Sequence, residues 1–211
     1  MESSILGTTA AVPLARPSLL RRVAGAAMLR AETYREVATD GTATKQAVGI
    51  VSAVGLSLLA GAFSLIPTTR VGTLTWMLLW ALITAYGGWM IWSSIAYLSG
   101  RILRGRAGWQ AVLRAVAFAA APGLLIGPGF LLFALSSGVL GQSVVDVLLI
   151  LVGCWLLLTD IVAVREAMDM RTGKAVVATL AGGAGFVAFA SFVLMIFEIG
   201  LFIVIPAAGG V

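Results

Sequence analysis

The sequence predicts an all-α integral membrane protein: a five-span helical bundle with an N-terminal amphipathic helix and a Pro/Gly-broken third span. Three observations predict it. Of 211 residues, 60% are hydrophobic and 11% charged, whereas soluble domains run at roughly 25% charged and need a polar shell. The apolar residues gather in five long runs, and a spanning helix needs about 20 mostly apolar residues. The basic residues between those runs alternate as five crossings require.

Residues 1–16 read as a flexible tail, because Glu2 stands where a signal peptide would be basic and the stretch from Ile5 to Leu14 is short and interrupted by Gly7 and Pro13. Residues 17–40 read as one amphipathic helix, cytoplasmic or interfacial. Leu20, Val23, Ala24, Ala27, Met28, Ala31 and Tyr34 fall at helical spacing, and Arg21, Arg22, Arg30, Glu32, Arg35 and Glu36 mostly take the remaining positions. Two resting places fit this helix equally, the cytoplasmic membrane surface and the protein's own cytoplasmic loops. Asp40-Gly41 ends it, and Asp40 or Thr42 is placed to cap the first span. Residues 41–211 make the membrane domain, with spans at about 46–66, 72–99, 108–139, 142–165 and 175–205.

The cations fix the orientation. Arg16, Arg21, Arg22, Arg30, Arg35 and Lys45 precede the first span, Arg101, Arg104 and Arg106 follow the second with Arg114 just inside the third, and Arg165, Arg171 and Lys174 join the fourth to the fifth. Of the 14 basic residues only Arg70 falls on the other face. The crowded face is therefore expected to be cytoplasmic, with the N-terminus inside and the C-terminus outside, in a bacterial cytoplasmic (inner) membrane. Pro122-Gly123 and Pro128-Gly129 interrupt the third run. Turning back there would strand Arg165, Arg171 and Lys174 outside, so a full crossing by a broken helix is predicted.

Composition also excludes. The chain has no histidine and a single cysteine, Cys154, so no disulfide, metal site or cofactor is expected. The basic pI of about 10.1 points to anionic lipids on the cytoplasmic face, not to nucleic acid, because no groove-reading motif accompanies it. No nucleophile elbow, phosphate loop or HExxH motif is present, and no enzyme is expected.

Charges at membrane depth are the first functional candidates. Arg114 lies about six residues into its span and Asp160 about five from the end of its own, which at 1.5 Å per residue puts both roughly 7–9 Å below the inner interface; an ion pair between them is expected. Arg70, Asp146 and Glu198 are candidates for an outer-face charge cluster. Pro122, Gly123, Pro128 and Gly129 mark a candidate broken-helix site. Ala178, Gly182, Gly185 and Ala188 form a small-residue stripe that lets helices approach closely, foremost within the bundle.

Several stretches together resemble the bacterial branch of the Yip (Ypt/Rab-interacting protein) domain family. They are Tyr34-Arg35-Glu36-Val37-Ala38-Thr39-Asp40 with Gln46-Ala47, then Leu113-Arg114-Ala115-Val116-Ala117-Phe118-Ala119 running to Pro122, then Trp155 through Ala163-Val164-Arg165-Glu166-Ala167 to Lys174-Ala175. The resemblance implies a cytoplasmic N-terminal region, five spans and no assigned reaction. Asp40-Gly41 stands where members often have Asp-Pro, and the acidic-leucine and Gly-Tyr motifs of eukaryotic members are not evident, so binding of a Rab-type GTPase is not carried over.

The expected function is a non-enzymatic scaffold, membrane-organising or accessory subunit acting through helix packing and a basic cytoplasmic face, with a protein partner or a second copy as company. The alternative is a small transporter or channel using the broken third span with Arg114 and Asp160.

Overall fold

Among the described residues, two short helices precede the membrane bundle where the sequence predicts one. The structure, a computed structural model, describes residues 18–65, 69–135 and 139–207; the tail expected over residues 1–16 lies outside the described residues. Helix α1 covers Leu19–Ala27 and α2 covers Ala31–Thr39. Between them Leu29 takes φ 60. The Leu29 N–H donates to Ala26 O (2.9 Å) and the Arg30 N–H to Gly25 O (3.0 Å), the paired bonds of a Schellman motif with leucine in the position that glycine usually holds. Gly25 supplies the room for the return, since a Cβ there would collide with the Thr33 hydroxyl. The hydrophobic spacing runs through this turn without interruption, which is why one continuous helix is predicted and two are found.

Among the described residues, five helical stretches are long and apolar enough to cross a membrane: Ala43–Ser64, Val71–Ile102, Trp109–Leu135, Asp146–Met168 and Thr172–Gly200. The first is α3 (Ala43–Leu65), headed by an Asx-type turn in which Asp40 Oδ1 accepts from the Thr42 N–H (2.8 Å) and hydroxyl (2.7 Å). The second joins α4 (Val71–Leu82) to α5 (Gly88–Ile102) through one π-helical turn, Ile83–Gly87. The third is broken as predicted: α6 (Trp109–Ala119), a 3₁₀ turn over Ala121–Leu125, then α7 (Ile126–Leu135). Pro122 has no N–H to continue the α-helical ladder, and its ring obstructs the preceding turn. The fourth helix, α8, already starts at Val139 and runs to Met168, so the third span does not extend to residue 139. The fifth, α9, covers Thr172–Ala207.

The chain is therefore an all-α, multi-pass integral membrane protein. Helix α2 lies against α6 and α8, α3 against α7, and α5 against α9. One buried cluster joins the hairpin to the bundle through Ala26, Tyr34, Val37, Ala115, Phe118 and Ala163. A second lies among α5, α6, α8 and α9, with Ala96, Val112, Val164 and Ala178.

Candidate functional site

The end of the bundle that carries α1, α2 and most of the cations, here called the basic end, also holds the densest set of long-range polar contacts. Arg114 is at its centre. It is 8% exposed, its Nε donates to Val37 O (3.0 Å) and its Nη2 to Ala38 O (2.5 Å). The guanidinium thus satisfies carbonyls at the C-terminal end of α2, where a helix leaves acceptors open and presents partial negative charge.

Around Arg114 the rest of the hairpin is fastened by named bonds. Arg22, 3% exposed, bridges Glu36 (2.7 Å) and Asp40 (2.5 Å) and donates to Gln46 Oε1 (2.8 Å) at the head of α3. Hydrogen bonds from Thr42 and from Arg22 hold the Asp40 carboxyl down at about 2. Arg35 pairs with Glu166 on α8 (2.5 Å), and Trp155 Nε1 donates to Ala27 O (2.9 Å). The fully buried Tyr34 donates its hydroxyl to Ala26 O (2.9 Å); burial pushes the phenol well above its usual range.

The expected Arg114–Asp160 ion pair is not formed. Arg114 is engaged by the α2 carbonyls, and Asp160, 5% exposed, keeps a buried Oδ1 without a hydrogen-bond partner. The α2 carbonyls are close acceptors that no residue identity announces, so a search for a charged partner passes over them.

The break in the third span is closed by side chains from its neighbours. Ser57 on α3 accepts from the Gly127 N–H (2.8 Å) and donates to Leu124 O (3.0 Å). Thr159 on α8 places its hydroxyl 2.9 Å from Ala119 O. Gly127 is required by this approach, because a Cβ there would strike the Ser57 backbone carbonyl. Pro122, Gly123, Gly127 and Gly129 are buried, while Pro128 is exposed.

The other candidates separate. Asp146 and Glu198 are both exposed, and neither enters an ion pair among the described residues, so no charge cluster ties them together; Arg70 holds the residue position preceding α4. Of the small-residue stripe, Ala178 is fully buried, a Cβ on Gly182 would come within 3.0 Å of Trp92, and one on Gly185 would collide with Ile95. Gly182 and Gly185 face α5 and Ala178 lies in the core shared by α5, α6, α8 and α9, whereas Ala188 is exposed. Phe186 and Phe189 of α9 in turn press on Gly88 and Gly87. Sequence reasoning passed over Ser57, Arg22 and Trp155 as members of the site. For Ser57 the one available signal was a hydroxyl in an apolar span otherwise facing a Pro-broken neighbour.

Among known proteins, the family model described as the Yip1 domain matches residues 28–195. No curated protein and no solved structure matches the chain. The matched stretch takes in α2, all of the residues that fasten it to α6 and α8, and the broken third span. The chain belongs to the Yip1 domain family.

Proposed function

From that membership as the premise, we propose that the protein is a non-enzymatic membrane scaffold or accessory subunit, acting through helix packing and a basic face turned to the cytoplasm. The observation that supports this reading best is the use made of the polar groups: Arg22, Arg35, Arg114 and Trp155 are engaged in joining the hairpin to the bundle, and Ser57 takes up the backbone groups freed at the break. Groups so committed build a rigid platform. Arg101, Arg104, Arg106, Arg171 and Lys174 surround that platform, all exposed, which suits anionic lipid headgroups and a protein partner or second copy at the same face. The charge alternation along the sequence supports a cytoplasmic N-terminus and an inner-membrane location.

The test is lipid and partner capture by the full chain. Reversing Arg101 and Arg104 to glutamate is expected to strip co-purifying anionic lipid, measured by native mass spectrometry, while the fold survives. Unchanged anionic lipid would remove the basic face from the proposal.

A small transporter is the second reading, and the observation favouring it is the unpartnered buried Asp160 oxygen. Proteoliposomes decide between the two: scaffold function expects no solute or ion flux that Asp160→Asn or Pro122→Ala alters, and transport expects both variants to change it.

A further inference from the structure

The α1–α2 hairpin descends beside the bundle, and the contacts measure how far. Arg35, at the middle of α2, pairs with Glu166 of α8. Ala27, at the end of α1, accepts from Trp155 of the same helix. Those two α8 positions are eleven residues apart, so the hairpin drops about 16 Å along α8 at 1.5 Å per residue. A second contact agrees. Helix α1 touches the 3₁₀ turn Ala121–Leu125, which begins twelve residues past Trp109, or about 18 Å into the third span. Both landmarks belong to stretches apolar and long enough to span a membrane.

The outer surface of the hairpin suits that depth. Leu20 is 80% exposed and Met28 65%, with Leu19 and Leu29 also open, while the inner surface is spent on Tyr34, Val37 and Ala38. On α8, Leu151 and Leu158 are exposed on either side in sequence of Trp155, the residue that meets Ala27, so the hairpin lies against a stretch of that helix with an open apolar surface. Arg30 and Glu32 are the charges nearest the tip, both exposed; the Arg30 stem is long enough to carry its head back toward the interface, and Glu32 lies one helical step nearer that interface, in the first turn of α2.

We infer that the α1–α2 hairpin is embedded in the leaflet at the basic end, its tip at Met28–Leu29 lying among the acyl chains beside α8. The occupant of its open face is lipid, because that face lies beside an open apolar surface of a spanning helix. This is independent of the scaffold reading: a transporter would carry the same embedded hairpin.

Depth-dependent quenching tests it on the full chain in phosphatidylcholine–phosphatidylglycerol vesicles. In a Cys154→Ser background, single cysteines at Met28, Leu20, Leu158 and Thr172 receive an environment-sensitive fluorophore; all four sites are exposed, so folding is not at stake. The Met28 label is expected to be quenched by acyl-chain nitroxide lipids as strongly as the Leu158 label and to lose nearly all of the iodide quenching seen at Thr172, with Leu20 shallower than Met28. A Met28 label open to iodide, or quenched only by headgroup nitroxides, would overturn the inference and place the hairpin in water or at the surface.

Discussion

Two seams of this molecule use opposite means. Where the α1–α2 hairpin meets α6 and α8, the joint is polar and directional: a guanidinium on helix carbonyls, an ion pair, an indole on a carbonyl. Where α5 meets α9, the joint is shape: Trp92 and Ile95 pressed onto Gly182 and Gly185, Phe186 and Phe189 onto Gly88 and Gly87. The shape seam leaves Trp92 Nε1, Ser93 Oγ and Thr179 Oγ1 buried without partners among the described residues. Between two transmembrane helices, lipid is as apolar as leucine, so close van der Waals fit carries the association. The hairpin does not span the bilayer and its two helices are only nine residues each; helices that short are marginal alone, and their position is set by specific bonds. The comparison teaches that the hairpin is held by chemistry that single substitutions can delete, and the α5–α9 seam by volume that they can only disturb.

Arg114→Ala is the sharpest way to break the polar side. It strips two buried α2 carbonyls of a charged donor and should cost about 3 kcal/mol, read as a lowered melting temperature and faster labelling of a cysteine placed at Val37. Lysine at 114 restores the charge with one head instead of a fork, and partial recovery is expected. Gly127→Ala should cost about 2 kcal/mol, because the new methyl meets a backbone oxygen of Ser57 and the α3–α7 approach must widen. Ser57→Ala leaves the Leu124 carbonyl and the Gly127 N–H short of a partner and should cost between about 1 and 2 kcal/mol; equal stability of this variant in detergent would show that water had taken over both groups. Gly182→Ala tests the shape seam, where Trp92 must yield a few tenths of an ångström, and about 1 kcal/mol is expected. The smallest effect is that of acid. Asp40 sits at about 2 when folded against an ordinary 3.8, so its contribution is complete above the higher value and is lost as pH falls through the lower one. Labelling at Val37 should therefore rise only below about pH 4, and Asp40→Asn should flatten that rise.

Much of the fold is legible in the sequence, and the reason is physical. Apolar length and the alternation of cations are global demands of a bilayer, so the five spans follow from them, and Pro122 announces its own break. The split of the N-terminal helix is not legible, because Leu29 adopts the left-handed cap without the glycine that marks one. Arg104 (φ 69) and Asp169 (φ 48) do the same at the ends of α5 and α8. The depth of Arg114 and Asp160 follows from counting residues, but their partners do not. Arg114 is met by main-chain oxygens, which every residue carries, and Asp160 is buried with an oxygen that no donor among the described residues meets. The stripe of small residues locates a seam and three of its members, while Ala188 has turned past the contact with α5.

The Ser57 bridge has a consequence for biosynthesis. A broken helix entering a bilayer exposes backbone groups that lipid cannot satisfy. Here the hydroxyl that receives them stands on α3, which leaves the ribosome before the third span does. The same order holds for Val37 and Ala38 ahead of Arg114, and for Ala27 ahead of Trp155. At each of these joints the earlier-made segment is already present when the later one arrives, and of the groups at the break only the Ala119 carbonyl, met by Thr159 of α8, waits for the fourth span.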